Sequence, residues 1–177
     1  MSREIVETIE KRFRGLEQLG RRAWEQVDEA AFARTFGKDE NSIVVLIQHV
    51  VGNLRSRFTD FLTTDGEKPW RHRDREFVES ERSRSDLESE WSGAWEVLFG
   101  TLEPLADADL SRIVTIRSEP HTVLDALLRQ LAHYGYHVGQ IVQLSRHWCG
   151  DEWQTLSVPR GQSEAYNRKM FGQAEPK

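Results

Sequence analysis

Apolar residues recur at intervals of three and four along four separate stretches of this chain, a spacing that commits it to packed helices. The first stretch covers about residues 2 to 30, with Ile5, Ile9, Phe13, Leu16, Leu19, Ala23 and Val27 on one face. The second runs from about Ser42 to Leu62 and carries Ile43, Leu46, Ile47, Val50, Leu54, Phe58 and Phe61. The third spans about Arg84 to Leu105, opens on Ser85, Asp86 and Glu88, and lines up Leu87, Trp91, Ala94, Trp95, Leu98 and Leu102. The fourth starts at Thr122, with Asp125 three residues on as a capping pair, and continues to about Trp148. A helix can bury such a face only against another element, so four helices and almost no strand predict an all-α four-helix bundle. Residues 1–177 read as one domain, a length sufficient for a real core.

The segments between helices differ in kind. Residues 63 to 82 are expected to form a long, ordered, charged connection between the second and third helices, with room for a helical turn. Thr64-Asp65-Gly66 signals a turn there, Pro69 blocks a helix, and Arg71 to Glu76 alternate in charge. Ile113-Val114-Thr115-Ile116 is β-branched and suits a short extended segment. After Cys149 comes a short polar C-terminal extension with room for one brief helix near Ser163 to Phe171.

Charge excludes some partners. The formal net charge of −5 gives no general attraction to nucleic acid or anionic lipid. The arginine-rich stretch from 53 to 84 does not reverse this, because its eight Lys/Arg face seven Asp/Glu. No apolar run approaches the roughly 18 residues that span a bilayer. The single cysteine, Cys149, cannot close an intramolecular disulfide, and no signal-peptide h-region is present; a cytoplasmic protein is expected. Cys149, beside a helix-ending glycine, reads as packing rather than as a nucleophile.

Histidine carries the chemistry. His133 and His137 lie four residues apart on the fourth helix, stacked on one face at the edge of the stripe formed by Leu127, Tyr134, Val138 and Ile141. His49 lies at the edge of the second helix's stripe, one turn before Asn53 and two before Arg57. An i, i+4 pair from one helix and a single ligand from another is a geometry bundles use for metals, and open metal sites commonly take three protein ligands. Spacing alone is equally compatible with a partly buried, hydrogen-bonded pair. His72, His121 and His147 read as structural or solvated, His121 being the one that leads into the fourth helix's pair.

The segments Ile47-Gln48-His49-Val50 and His133-Tyr134-Gly135-Tyr136-His137-Val138-Gly139-Gln140-Ile141 resemble the two halves of the DinB-like (YfiT-like) motif. That motif has one histidine on the second helix and HxxxH followed by Gly-Gln on the fourth. A resemblance to an uncharacterised branch of that superfamily extends through Asn53 to Arg57 and Thr63 to Arg71, and covers about residues 1 to 150 in all. It implies an up-down bundle, often a homodimer, with a divalent ion, nickel or zinc, on His49, His133 and His137. It further implies an enzyme acting on a small molecule, with a low-molecular-weight thiol such as bacillithiol, mycothiol or glutathione as cosubstrate in some relatives.

Three neutral histidines leave the ion's charge uncompensated, which favours deprotonation of a coordinated water or thiol. Thiol transfer and hydrolysis are both open on this basis, as is a non-catalytic dimer with a structural ion. Around the ligands, Arg57 can offer a guanidinium to a carboxylate, Arg71 and Arg73 can cover the bundle mouth, and Gln140 can orient His137. The exposed-looking Trp70, Trp148 and Trp153 suit a dimer interface.

Overall fold

A computed structural model describes residues 2–79 and 82–172. Four long helices carry the fold: α1 (Glu4–Trp24), α3 (Ile43–Phe58), α4 (Arg84–Leu102) and α5 (Val123–Cys149). Between them lie α2 (Glu29–Phe32) and a hairpin of β1 (Ile113–Ile116) and β2 (Glu119–Thr122), and α6 (Ser163–Gly172) follows. The described chain is thus mostly helical, and none of its helices is long and apolar enough to cross a membrane. α3 packs against α4 and α5, and α1 against α5 and α4, so the four share one core.

Local chemistry explains the boundaries. Ser42 accepts a hydrogen bond from the Val45 N–H and starts α3, and Thr122 accepts one from Asp125 and starts α5. Ser83, rather than Ser85, caps α4, its side chain and that of Asp86 forming a reciprocal capping box. The first helix stops at Trp24, short of the expected residue 30, because Asp28 caps a separate turn at Ala31 and the Arg84 guanidinium binds the Trp24 and Val27 carbonyls. Its buried face is also rotated: Val6 and Trp24 are fully buried whereas Ile5 is half exposed. The buried faces expected of α3, α4 and α5 are the ones observed.

The core is strongly aromatic. Phe13 touches Phe58, Trp95 and Tyr134 within ring-contact distance, and Trp91 packs at a tilt against Trp95 beside them. Full burial of such side chains contributes roughly 1.5–3 kcal/mol each, which fixes α3 and α5 against one another and so positions any group they carry inward.

Two features escape the sequence pattern. The extended segment 113–116 has a partner, β2, in antiparallel register with Ile113 opposite Thr122 and Ile116 opposite Glu119. Its turn, Arg117-Ser118, has φ of 55° and 64°, values that usually call for Gly or Asn. Asp65 compensates, its carboxylate accepting from the Arg117 and Ser118 N–H groups at 2.9 and 2.7 Å. The charged connection is ordered and carries a helical turn, as expected, but its anchors lie outside the local pattern. Ser56 donates to the Gly66 carbonyl, Lys68 Nζ donates to the Asp65 carbonyl, and residues 73–77 make a turn of 3-10 helix against α3.

Burial works against the charge on Asp65, but hydrogen bonds from Glu67, Ser118 and Arg117 hold its pKa below the ordinary value. A depressed carboxyl stabilises the fold above its unfolded pKa and loses that contribution as pH falls through the folded value. Asp65→Ala is therefore expected to cost about 1–2 kcal/mol at neutral pH, as for a lost helix cap. Urea melts of both proteins should show the gap narrowing on acidification; a gap independent of pH would refute the role.

Candidate metal centre

Three imidazoles meet where α3 crosses α5. His49 projects from the middle of α3, 3% exposed, and His137 from α5, 7% exposed, with His133 one turn earlier. His133 Nε2 lies 3.3 Å from His49 Nε2 and 3.1 Å from His137 Nε2. All three ligand atoms fall within 4.8 Å of one another.

Two of the rings are held in a defined tautomer. His49 Nδ1–H donates to Glu76 Oε2 at 2.9 Å, and His137 Nδ1–H donates to Gln140 Oε1 at 2.9 Å. Each bond turns the Nε2 lone pair toward the centre. His133 Nδ1 is buried without a hydrogen-bond partner. Burial lowers the His133 pKa to about 3, aided by the neighbouring histidines, and burial lowers that of His137 to about 4. These two rings are neutral at physiological pH, so each keeps a nitrogen lone pair available to an ion.

That arrangement fits a transition ion. Imidazole nitrogens bound at about 2.0–2.1 Å and at a tetrahedral angle stand about 3.3 Å apart. The observed 3.1 and 3.3 Å from His133 match this spacing, and the His49 and His137 nitrogens lie within 4.8 Å of each other. Neutral imidazole is a good donor for zinc, nickel, iron and copper alike.

The connection reaches into the site. Arg71 grips Glu76 through two hydrogen bonds of 2.8 Å, Nε to Oε1 and Nη2 to Oε2, with the two side chains only 2% and 10% exposed. Phe77 lies against the His49 ring at a centroid distance of 4.7 Å. Glu76 occupies the space above Gly52, three residues after His49. A Cβ at Gly52 would stand 2.7 Å from Glu76 Cδ and closer still to Oε1. The carboxylate can reach His49 only because that position is glycine.

A cavity of about 410 Å³ opens over the histidines, and Asn53, Arg57, Arg71 and Arg73 all line it, as the sequence led one to expect. Their roles differ from the simplest expectation. Asn53 Oδ1 accepts from Gln130 Nε2 at 2.6 Å and from the Tyr134 hydroxyl at 2.9 Å, so it ties α3 to α5. Arg57 donates to the Gly66 carbonyl and to Glu67, holding the connection down. Gln140 orients His137 but faces an adjoining cavity of about 570 Å³ that shares Asn41 and Tyr136 with the first.

The other candidates fall outside the cluster. His121 pairs with Asp125 at 2.6 Å, His147 packs on Phe36 and Trp148, and His72 is exposed in the connection. Cys149 donates to the Gln26 carbonyl, and burial raises its pKa, the fate of a packing thiol. Of the three tryptophans read as exposed, only Trp70 is so, at 52%; Trp148 stacks on Phe36 and Trp153 packs against the core.

Nothing in the sequence singles out Glu76 or Gln130. The usable signal for Glu76 is Gly52 itself: a glycine inside a helix costs about 1 kcal/mol relative to alanine, so it marks a close approach without naming what approaches.

Helices presenting a buried three-histidine cluster beneath a charged cover define the class of this protein. Residues 1–162 match the family described as "Protein of unknown function (DUF1572)", and the chain belongs to that family. No curated protein and no solved structure matches it.

Proposed function

We propose that this chain is a divalent-metal-dependent enzyme of the DinB-like superfamily, an up-down four-helix bundle in which His49, His133 and His137 hold nickel or zinc. One observation carries it: three imidazole nitrogens converge within 4.8 Å of one another, two of the rings aimed by hydrogen bonds on their far side. The pairing of α1, α3, α4 and α5 around one core supports the bundle assignment.

A bound divalent ion would supply Lewis acidity and lower the pKa of a coordinated water or thiol. The chain's own residues supply the rest. Glu76 and Gln140 fix the ligand rings, Phe77 and the folded connection exclude water, and the arginines position a substrate. The reaction we favour is transfer of a low-molecular-weight thiol to a small electrophile. Cys149 is half-buried and hydrogen-bonded far along α5, so the thiol would come from a cosubstrate. A cytoplasmic location and a homodimer belong to the same reading.

The test is turnover by metal-loaded protein supplied with an electrophile and bacillithiol, mycothiol or glutathione in turn. The expected result is turnover with one thiol that disappears in His133→Ala. No thiol raising turnover above that control would sink the proposal, and turnover without any thiol would reassign the site to hydrolysis. Light scattering on the eluted peak checks the dimer; a 20.6 kDa species would remove it.

A further inference from the structure

The cavity over the histidines has a charge opposite to that of the whole protein. The chain carries a net charge of −5, yet Arg57, Arg71, Arg73, Arg117 and Arg129 line this cavity and, among the described residues, no carboxylate does. Two carboxylates behind the walls neutralise part of this charge. Glu76 takes Arg71, while Glu67 accepts from Arg117 Nε at 2.9 Å and from Arg57 Nη2 at 3.2 Å. Arg73 and Arg129 make no hydrogen bond to a carboxylate among the described residues. Arg73 lies 3.9 Å from Asp74, a fully exposed side chain that solvent screens, and Arg129 Nη1 meets only His121 Nε2.

We propose that this cavity binds a small organic anion, a carboxylate or phosphate held by Arg73, Arg117 and Arg129 above the three histidines. Guanidinium groups offer paired N–H donors that match either group, and a partly enclosed concave site focuses their field. A volume of about 410 Å³ suits a metabolite rather than a polymer, and the chain's net charge of −5 disfavours nucleic acid. The anion's identity as substrate rests on the functional reading above; its binding does not, because the arginines require no ion.

The experiment is calorimetric titration of metal-free protein with succinate, inorganic phosphate and the uncharged succinamide. Either anion is expected to bind and succinamide not, the tighter of the two assigning carboxylate or phosphate. Arg73→Gln and Arg129→Gln should each weaken binding several-fold and together about tenfold or more, since each removes charge-assisted donors. Arg146→Gln removes the same charge from an exposed position on α5 outside the cavity and should leave binding unchanged. Equal binding of succinamide, equal weakening by Arg146→Gln, or no binding up to about 10 mM would each overturn the proposal. Metal affinity measured on the same samples separates this failure from that of the metal centre.

Discussion

His133→Ala is expected to lose zinc and nickel binding by about a hundredfold or more while remaining folded. His133 is the middle ligand, 3.3 Å from one partner nitrogen and 3.1 Å from the other, so its removal leaves two donors on separate helices. Its Nδ1 makes no hydrogen bond, so the substitution takes a partner only from the His49 and His137 Nε2 atoms. The cost to the metal-free fold should stay within about 1–2 kcal/mol, the range of an ordinary substitution. Zinc at a hundred times its Kd stabilises a native state by about 2.7 kcal/mol, which raises the melting temperature of the parent by several degrees. The variant should show no such rise in the same zinc concentration. An identical zinc-induced shift in both proteins would place the ion elsewhere.

Gly52→Ala is the second large effect, and it acts without touching a ligand. The added methyl displaces the Glu76 carboxylate, which is wedged between Arg71 and His49. Without that acceptor the His49 ring loses its fixed tautomer and orientation, a loss worth roughly 10–100-fold in metal affinity where such partners have been removed. On helix propensity alone the same change would be favourable by about 1 kcal/mol, so affinity and local propensity move in opposite directions. A double-mutant cycle isolates the cause. In a Glu76→Ala background the clash is gone, and Gly52→Ala should then leave chelator-competition affinity unchanged. Additive losses in the double variant would show that Gly52 acts by some other route.

Much of this site is written in local spacing. The i, i+4 interval places His133 and His137 on one face of any helix that contains them, and His49 sits at the margin of its own apolar stripe. Burying the two stripes against one another brings the three rings close with no further instruction. Asn53, Arg57 and Gln140 follow from the same turn-by-turn arithmetic. Their partners do not, because Asn53 spends its carbonyl on Gln130 and Tyr134 of α5, across a gap of 77 and 81 residues. The hairpin is the clearest case of a hidden element. Glu119-Pro120-His121-Thr122 has poor strand character and Arg117-Ser118 is an unfavourable turn, yet Asp65 from the distant connection supplies what the local residues lack.

The four helical stretches, their inward faces apart from the rotation of α1, and the three convergent histidines were determined by the sequence itself, since helical periodicity is a property of neighbours along the chain. The fate of the charged connection was decided only in three dimensions. Residues that read as an ordered, charge-balanced connection fold down so that Arg71 and Glu76 are almost wholly buried and Glu76 bonds to His49. Burying ionic groups costs several kcal/mol unless each meets a partner in good geometry. Those partners, His49, Gly52 and the Arg71–Glu76 pair, come from two separate segments, residues 49–52 and 71–76. Alternating charge specifies no register between such segments; the packed surface of α3, with its one missing side chain, does.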